Sequence, residues 1–228
     1  MLKSAFSYFN NYLERLTGFR VQPSADHRLN RVRQQVLRDF KIQLVVDVGA
    51  NRGQWASKVR KSGFGGRILS FEPSSEFKNL FDNASHDRNW EVRNLALSDE
   101  AGTRLMYIAS NSGLSSSLMK PLGITSRRPD ITFDSQERVQ ISTLEKELKN
   151  EEELYYLKID TQGSEMNVLL GIETKLGNCI AIEFESALQP LYEREILHYE
   201  ITDWLRSDRK STRLNSSHEW ISRMPSSA

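Results

Sequence analysis

Short apolar runs separated by longer amphipathic stretches set the rhythm of this chain. Residues 44–48 (Leu-Val-Val-Asp-Val) and 67–71 (Arg-Ile-Leu-Ser-Phe) are dense in β-branched and large apolar side chains. They have the length and composition of strands buried on both faces of a parallel sheet. Further strands are predicted at 91–97, 103–109, 138–142, 155–160 and 179–185. The second of these reads as the hairpin partner of the first, across the turn signal Asp99-Glu100-Ala101-Gly102. Helical spacing lies between them, at 27–40, 54–61, 76–84, 143–150, 165–176 and 193–205. The helix at 165–176 would be capped near Thr161 or Ser164. Near the start, Phe6, Phe9, Tyr12, Leu13 and Leu16 share one face of a predicted amphipathic helix over 2–16, which would cap the core in preference to resting on a membrane surface. Strands alternating with helices predict an α/β fold with a doubly wound, mostly parallel sheet.

Between 111 and 130 the periodicity fails, and Ser, Gly and Pro accumulate. A stretch this long in a compact domain is usually functional, so it reads as a substrate-side loop or lid. Its Lys120, Arg127 and Arg128 fit solvated charge better than an anion site.

The strand at 44–48 runs into Asp47-Val48-Gly49-Ala50-Asn51-Arg52-Gly53. Glycines at 49 and 53 permit a tight turn and close approach of a ligand to the backbone. One helix later the second strand ends in Glu72, where a carboxylate can accept ribose hydroxyls. The glycine spacing is not the G-x-G-x-x-G of a pyrophosphate cradle. A cofactor without phosphates suits it better, and S-adenosylmethionine combines adenine, ribose and an amino acid.

Four blocks resemble FkbM-type methyltransferases. They are the turn at 47–54, the strand end at 66–73, Asn94-Leu95-Ala96-Leu97-Ser98-Asp99, and Leu157-Lys158-Ile159-Asp160-Thr161-Gln162-Gly163-Ser164-Glu165. In the last block the family more usually has Glu where this chain has Gln162. The matching blocks lie in family order between Val45 and Glu185. The resemblance implies a Rossmann-like class I fold and methyl transfer from S-adenosylmethionine to oxygen. It also implies site roles. Gly49, Ala50 and Asn51 would line the methionine moiety, with Gly53 completing the turn and Asp47 orienting it and, directly or through water, the ammonium. Glu72 would hold the ribose, and Pro73, Ser74, Asn94 and Ala96 would flank the adenine.

For an acceptor hydroxyl, Asp160 and Glu165 are the favoured carboxylates for positioning or base duty, with Glu183, Glu185 and His198 as other candidates. For Glu165, helix-dipole stabilisation is an equal alternative. An acidic cluster can hold Mg²⁺, but no metal is expected. The predicted partner is a small-molecule or glycan acceptor. Two other readings remain: a nucleotide-sugar or dinucleotide enzyme, and a non-catalytic cofactor-binding module.

The terminal stretch changes the charge count. Residues 208–218 back-translate to a common sequencing-library adapter, so 208–228 reads as a non-native tail. Domain boundaries follow: 1–41 as capping helices, 42–207 as a methyltransferase domain without the final antiparallel hairpin of its class, and 208–228 as tail. The tail holds four Lys/Arg and two Asp/Glu, leaving 27 basic and 28 acidic of the chain's 31 and 30, a net of −1. That balance gives no sign of nucleic-acid binding. With Cys179 the only cysteine, no intramolecular disulfide can form, which is compatible with a cytoplasmic protein. No apolar run approaches the length of a membrane-spanning helix.

Overall fold

The computed structural model describes residues 25–207. The expected helix over 2–16 and the adapter-like tail lie outside them. The expected linker at 20–26 does so for the most part.

A parallel sheet of five strands is ordered β3-β2-β1-β7-β8. Its members are β1 (Leu44–Val48), β2 (Arg67–Phe71), β3 (Trp90–Arg93), β7 (Tyr155–Ile159) and β8 (Cys179–Phe184). Helices α1 (Ala25–Asp39), α2 (Gln54–Lys61) and α3 (Phe77–Ala84) cover one face. There Val45, Ala56, Val59, Ile68, Leu80 and Trp90 form one core. On the other face lie α5 (Leu144–Glu147), α6 (Glu165–Leu170) and α7 (His198–Ser207). The core there includes Leu44, Val46, Leu69, Leu157, Val168 and Ile201. Every residue of β1 and β7 is buried, which is why both read as continuous apolar runs. The fold class is therefore the expected one.

The chain winds outward from β1 through β2 to β3, then returns to add β7 and β8 on the other side of β1. The order reverses between β1 and β7, and ligands of open α/β sheets sit beyond the strand ends at such a point. Gly49 shows how close the two ends come. A Cβ there would lie 1.9 Å from the Asp160 carbonyl oxygen, and its φ is +73°. Among the described residues no strand follows β8, which forms the sheet edge.

Several expected boundaries are corrected. The strand at 91–97 is two: β3 stays in the main sheet, while β4 (Ala96–Leu97) joins a second sheet ordered β4-β6-β5. Asn94 marks the bend, its Nδ2 donating to the carbonyls of Glu72 at 2.9 Å and Pro73 at 3.2 Å. The hairpin across 99–102 does not form. Instead β5 (Gly102–Ile108) and β4 flank β6 (Ser135–Ser142), antiparallel and parallel respectively. The helix expected over 143–150 is one turn, capped by Thr143 Oγ1 accepting from Lys146 N at 3.2 Å. That over 165–176 breaks at Gly171, where a Cβ would lie 2.1 Å from Ser98 O. A 3₁₀ segment, Glu173–Asn178, follows. The last helix starts at His198 rather than at 193, because Glu195 Oε2 holds a turn through Leu191 N at 2.6 Å and Tyr192 N at 3.1 Å. The loop at 111–130 is held by bridges Tyr107↔Ser117 and Pro121↔Tyr192 and carries a short helix, α4 (Ile124–Arg127).

Gly49→Ala should destabilise the domain by about 1–3 kcal/mol or more, the cost of forcing atoms into a packed site. At about 2–4 °C per kcal/mol, a thermal melt reads this directly; an unchanged melting temperature would contradict the close approach of β1 and β7.

Candidate functional site

One polar side chain interrupts each of four adjacent strands, and strand register brings the four into a row. Asp47 pairs with Ser70 on β2 and Lys158 on β7, and Lys158 pairs with Glu183 on β8. Because side chains alternate along a strand, all four face the α1–α3 layer. Trp90 Nε1 donates to Ser70 Oγ at 2.9 Å, and Ser70 Oγ to Asp47 Oδ2 at 3.4 Å. Lys158 Nζ stands 3.2 Å from Asp47 Oδ1 and 3.6 Å from Asp160 Oδ2, and donates to Gly49 O at 3.1 Å. The Asp47 contact is an ion pair without an aligned hydrogen bond. Burial opposes the lysine charge, but the two aspartates outweigh it and hold its pKa above the usual lysine range. Burial pushes Asp47 up, and Lys158 pulls it back.

At the other end of the row, Glu183 accepts from Arg33 Nε at 2.8 Å and Nη2 at 2.7 Å, Tyr156 Oη at 2.8 Å and Trp55 Nε1 at 3.0 Å. Burial alone would raise its pKa; Arg33 overcomes this and brings it below the ordinary value. This knot ties α1 and α2 to the sheet.

The turn after β1 has left-handed backbone at Gly49, Asn51 and Gly53, the last two tolerated because Asn and Gly accept positive φ. All five of its amides are bonded within the protein. Those of Gly49 and Ala50 reach Phe71 O at 3.1 and 3.0 Å, and Gly53 N reaches Ala50 O at 2.8 Å. Asn51 N donates to Glu72 Oε2 at 2.7 Å and Arg52 N to Gln54 Oε1 at 3.1 Å. Glu72 Oε1 accepts from Ser74 N at 2.9 Å and Ser74 Oγ at 2.5 Å. Burial raises the pKa of Glu72 against these bonds. A carboxylate offers about four lone-pair sites, so one remains on Oε2.

Beyond the strand ends lies a cavity of about 810 Å³, within the usual range for ligand sites. Of the residues expected from sequence, Gly49, Ala50, Asn51, Glu72, Pro73, Ala96 and Asp160 line it. Asp47, Gly53, Ser74, Asn94 and Glu165 do not, and the first four support those that do. Gly53 makes room for Trp90, which a Cβ would meet at 2.8 Å. Glu165 is corrected as an acceptor-facing base. It is buried, and its carboxylate takes Thr161 N at 2.9 Å, Thr161 Oγ1 at 3.1 Å and Gly163 N at 3.0 Å. Burial pushes its pKa up to about 7 against the pull of those amides. Its work is to hold the turn after β7.

Glu183 and Glu185, the other candidate carboxylates, also line the cavity, whereas sequence reasoning missed Lys158 and Arg33 as lining groups. For Lys158 the available signal was a single charge inside an apolar strand. The loop at 111–130 forms part of the wall through Gly113, Leu114, Ser116 and Leu118. It is fastened by Ser117 Oγ donating to Gln162 O at 2.7 Å and Tyr192 Oη to Ser115 O at 2.8 Å. Its cations are partnered within the chain: Lys120 with Glu193 at 3.0 Å, Arg128 with Asp130 at 2.9 Å, and Arg127 with Gln189. His198 lies outside the cavity, bonded to Ser186 Oγ at 2.9 Å. Among the described residues no group of three or more His, Cys, Asp or Glu is placed to hold a metal ion, and no helix is long and apolar enough to cross a membrane.

A family model described as the methyltransferase FkbM domain matches residues 47–212, well over half of the chain. The match begins at Asp47 and overlaps the start of the terminal stretch. Comparisons with curated proteins and with solved structures found no match.

Lys158→Ala leaves Asp47 buried without its counter-charge and should cost about 3–5 kcal/mol, measured by urea unfolding. Removing both charges, as Asp47→Leu with Lys158→Met, should recover much of that loss. A Lys158→Ala cost below about 1 kcal/mol, the range of an exposed pair, would contradict the buried bridge.

Proposed function

The chain belongs to the FkbM methyltransferase domain family, and from that premise we propose that it moves a methyl group from S-adenosylmethionine to a hydroxyl of a sugar, glycan or other small-molecule acceptor. The observation that carries the choice of cofactor is the saturation of the 49–53 turn. A dinucleotide or nucleotide sugar needs free amides there for its phosphates, and all five are committed. Gly49, which lines the cavity, has a carbonyl oxygen that accepts from Lys158 Nζ at 3.1 Å, and its second lone pair suits an ammonium.

The other residues fit the same cofactor. Glu72 keeps an acceptor position for a ribose hydroxyl. Pro73, Leu95, Ala96, Leu97 and Met106 give the Glu72 end of the cavity an apolar lining for adenine. Gly49 O and Asp160 are acceptors at the switch point for the amino-acid end, with Asp47 acting through Lys158 rather than by contact. S-adenosylmethionine supplies a methyl group on a sulfonium, an already activated leaving group. The protein's part is then to align the acceptor and exclude water. The loop at 111–130 walls the cavity through Gly113, Leu114, Ser116 and Leu118, and is fastened to the loop at 185–197 by Leu122 N and Gly123 N donating to Leu191 O at 2.9 Å each. The acceptor would enter at the far end, lined by Asn30, Gln34, Trp55 and Lys58.

We further propose that residues 42–207 form the methyltransferase domain and that the protein is cytoplasmic, in keeping with its single, unpaired Cys179. α1, from the preceding segment, packs on this domain through Arg33.

Glu72→Ala should weaken S-adenosylhomocysteine binding by about 10- to 100-fold, the effect of losing a hydrogen bond to a charged group. Calorimetry reads this, with circular dichroism checking the fold and NAD as a ligand that should not bind. Unchanged affinity, or NAD binding equally well, would contradict the assignment.

A further inference from the structure

Four carboxylates line the cavity: Glu72, Asp160, Glu183 and Glu185. Three are engaged. Glu72 holds Asn51 and Ser74, and Glu183 holds Arg33, Tyr156 and Trp55. Asp160 Oδ1 accepts from Gln162 Nε2 at 2.7 Å while Oδ2 faces Lys158. The Glu185 side chain has no hydrogen-bond or ion-pair partner among the described residues. Its backbone is fixed, since Glu185 N donates to Ile159 O at 3.2 Å and so stays in register beside Asp160 at the end of β7. A half-buried carboxylate on a rigid strand end, open to the cavity and free of protein donors, is placed to receive a proton from a ligand.

Resting on the methyl-transfer reading, we propose that Glu185 is the general base that takes the proton of the acceptor hydroxyl. As the acceptor oxygen forms its bond to the methyl carbon, the carbon–sulfur bond breaks and its electron pair stays on sulfur. The hydroxyl proton passes to a Glu185 carboxylate oxygen and from there to solvent. Asp160, engaged on both oxygens, positions rather than accepts.

The electrostatics agree with the geometry. Burial first, then the neighbouring Asp160 charge, push the Glu185 pKa up to about 7, with Glu183 adding to the rise and Lys158 opposing it. Across the same cavity stand Arg33 on α1 and Lys58 and Lys61 on α2. A base with a pKa near the working pH combines a large ionised fraction with a useful affinity for the proton.

The test compares wild type with E185Q, which keeps the side-chain shape. Three quantities are read: S-adenosylhomocysteine affinity, the carboxyl resonances of ¹³C-glutamate-labelled protein between pH 4 and 9, and S-adenosylhomocysteine formed from S-adenosylmethionine with D-glucose, methyl glucoside and D-glucuronate. In wild type, the carboxyls of Glu165 and Glu185 should titrate near pH 7. E185Q should lose one of them while its affinity for S-adenosylhomocysteine is unchanged. Its turnover of any acceptor taken by wild type should fall about 10²- to 10⁴-fold, and the rise in rate through pH 7 should vanish. A Glu185 resonance titrating in the ordinary carboxylate range, or E185Q turnover with the wild-type rate and pH profile, would overturn the proposal. Failure of wild type to bind S-adenosylhomocysteine would instead overturn the cofactor reading, and the proposed base would fall with it.

Discussion

The ammonium of Lys158, buried between two aspartates, is the interaction on which the site depends. It joins the ends of β1 and β7, the one place where neighbouring strands of the sheet are not linked by a short crossover. Its donors reach a carbonyl of the turn after β1 and its charge reaches the aspartate after β7. Without a counter-charge, Asp47 would be among the costliest groups in the core. With it, the two strand ends are pulled into the approach that Gly49 alone permits. The same bridge continues sideways through Ser70 to Trp90, and on the far side the register leads to Glu183 and its ties to α1 and α2. A single row of polar side chains thus connects the sheet, the helical layer and the mouth of the cavity.

This arrangement decides what the cavity can bind. The turn amides are consumed by Phe71, Glu72, Gln54 and the turn itself, so this strand end has no free amide for a phosphate. Its polarity is divided along its length. Glu72 and apolar residues from β4 and β5 occupy one end, the Lys158 bridge the middle, and polar groups of α1 and α2 the other end. Rigid strand ends carry most of the groups, while the loop at 111–130 supplies part of the wall.

Much of this was legible in the sequence, for identifiable reasons. Strands β1, β2 and β7 are buried on both faces, so their apolar runs stand out without any knowledge of partners. The glycines at 49 and 53 and the carboxylate at 72 have positional meaning that survives in one dimension. The misreadings share one physical origin: pairing is non-local. Asn94 turns the chain out of the main sheet by bonding backbone 20 or so residues away. β4 and β5 each pair with β6 rather than with each other, although the turn between them is present. Gly171 stops a helix because β4's end presses on it, which no local propensity records. Beyond its charge in an apolar strand, Lys158 carries no one-dimensional signal as a site residue, since its partner Asp47 lies across a register that only the folded sheet defines. Glu165 shows the converse case, a carboxylate in the right motif whose oxygens are consumed by its own turn.

A crystal structure of the protein grown with S-adenosylhomocysteine should show the ligand at the carboxyl ends of β1, β2 and β7, with a ribose hydroxyl on Glu72, the amino-acid end at Gly49 O and Asp160, and Lys158 still bridging Asp47 and Asp160. A ligand bound elsewhere, or one seated there with Lys158 drawn away from Asp47 to meet it, would refute both the proposed cofactor site and the role of the buried bridge.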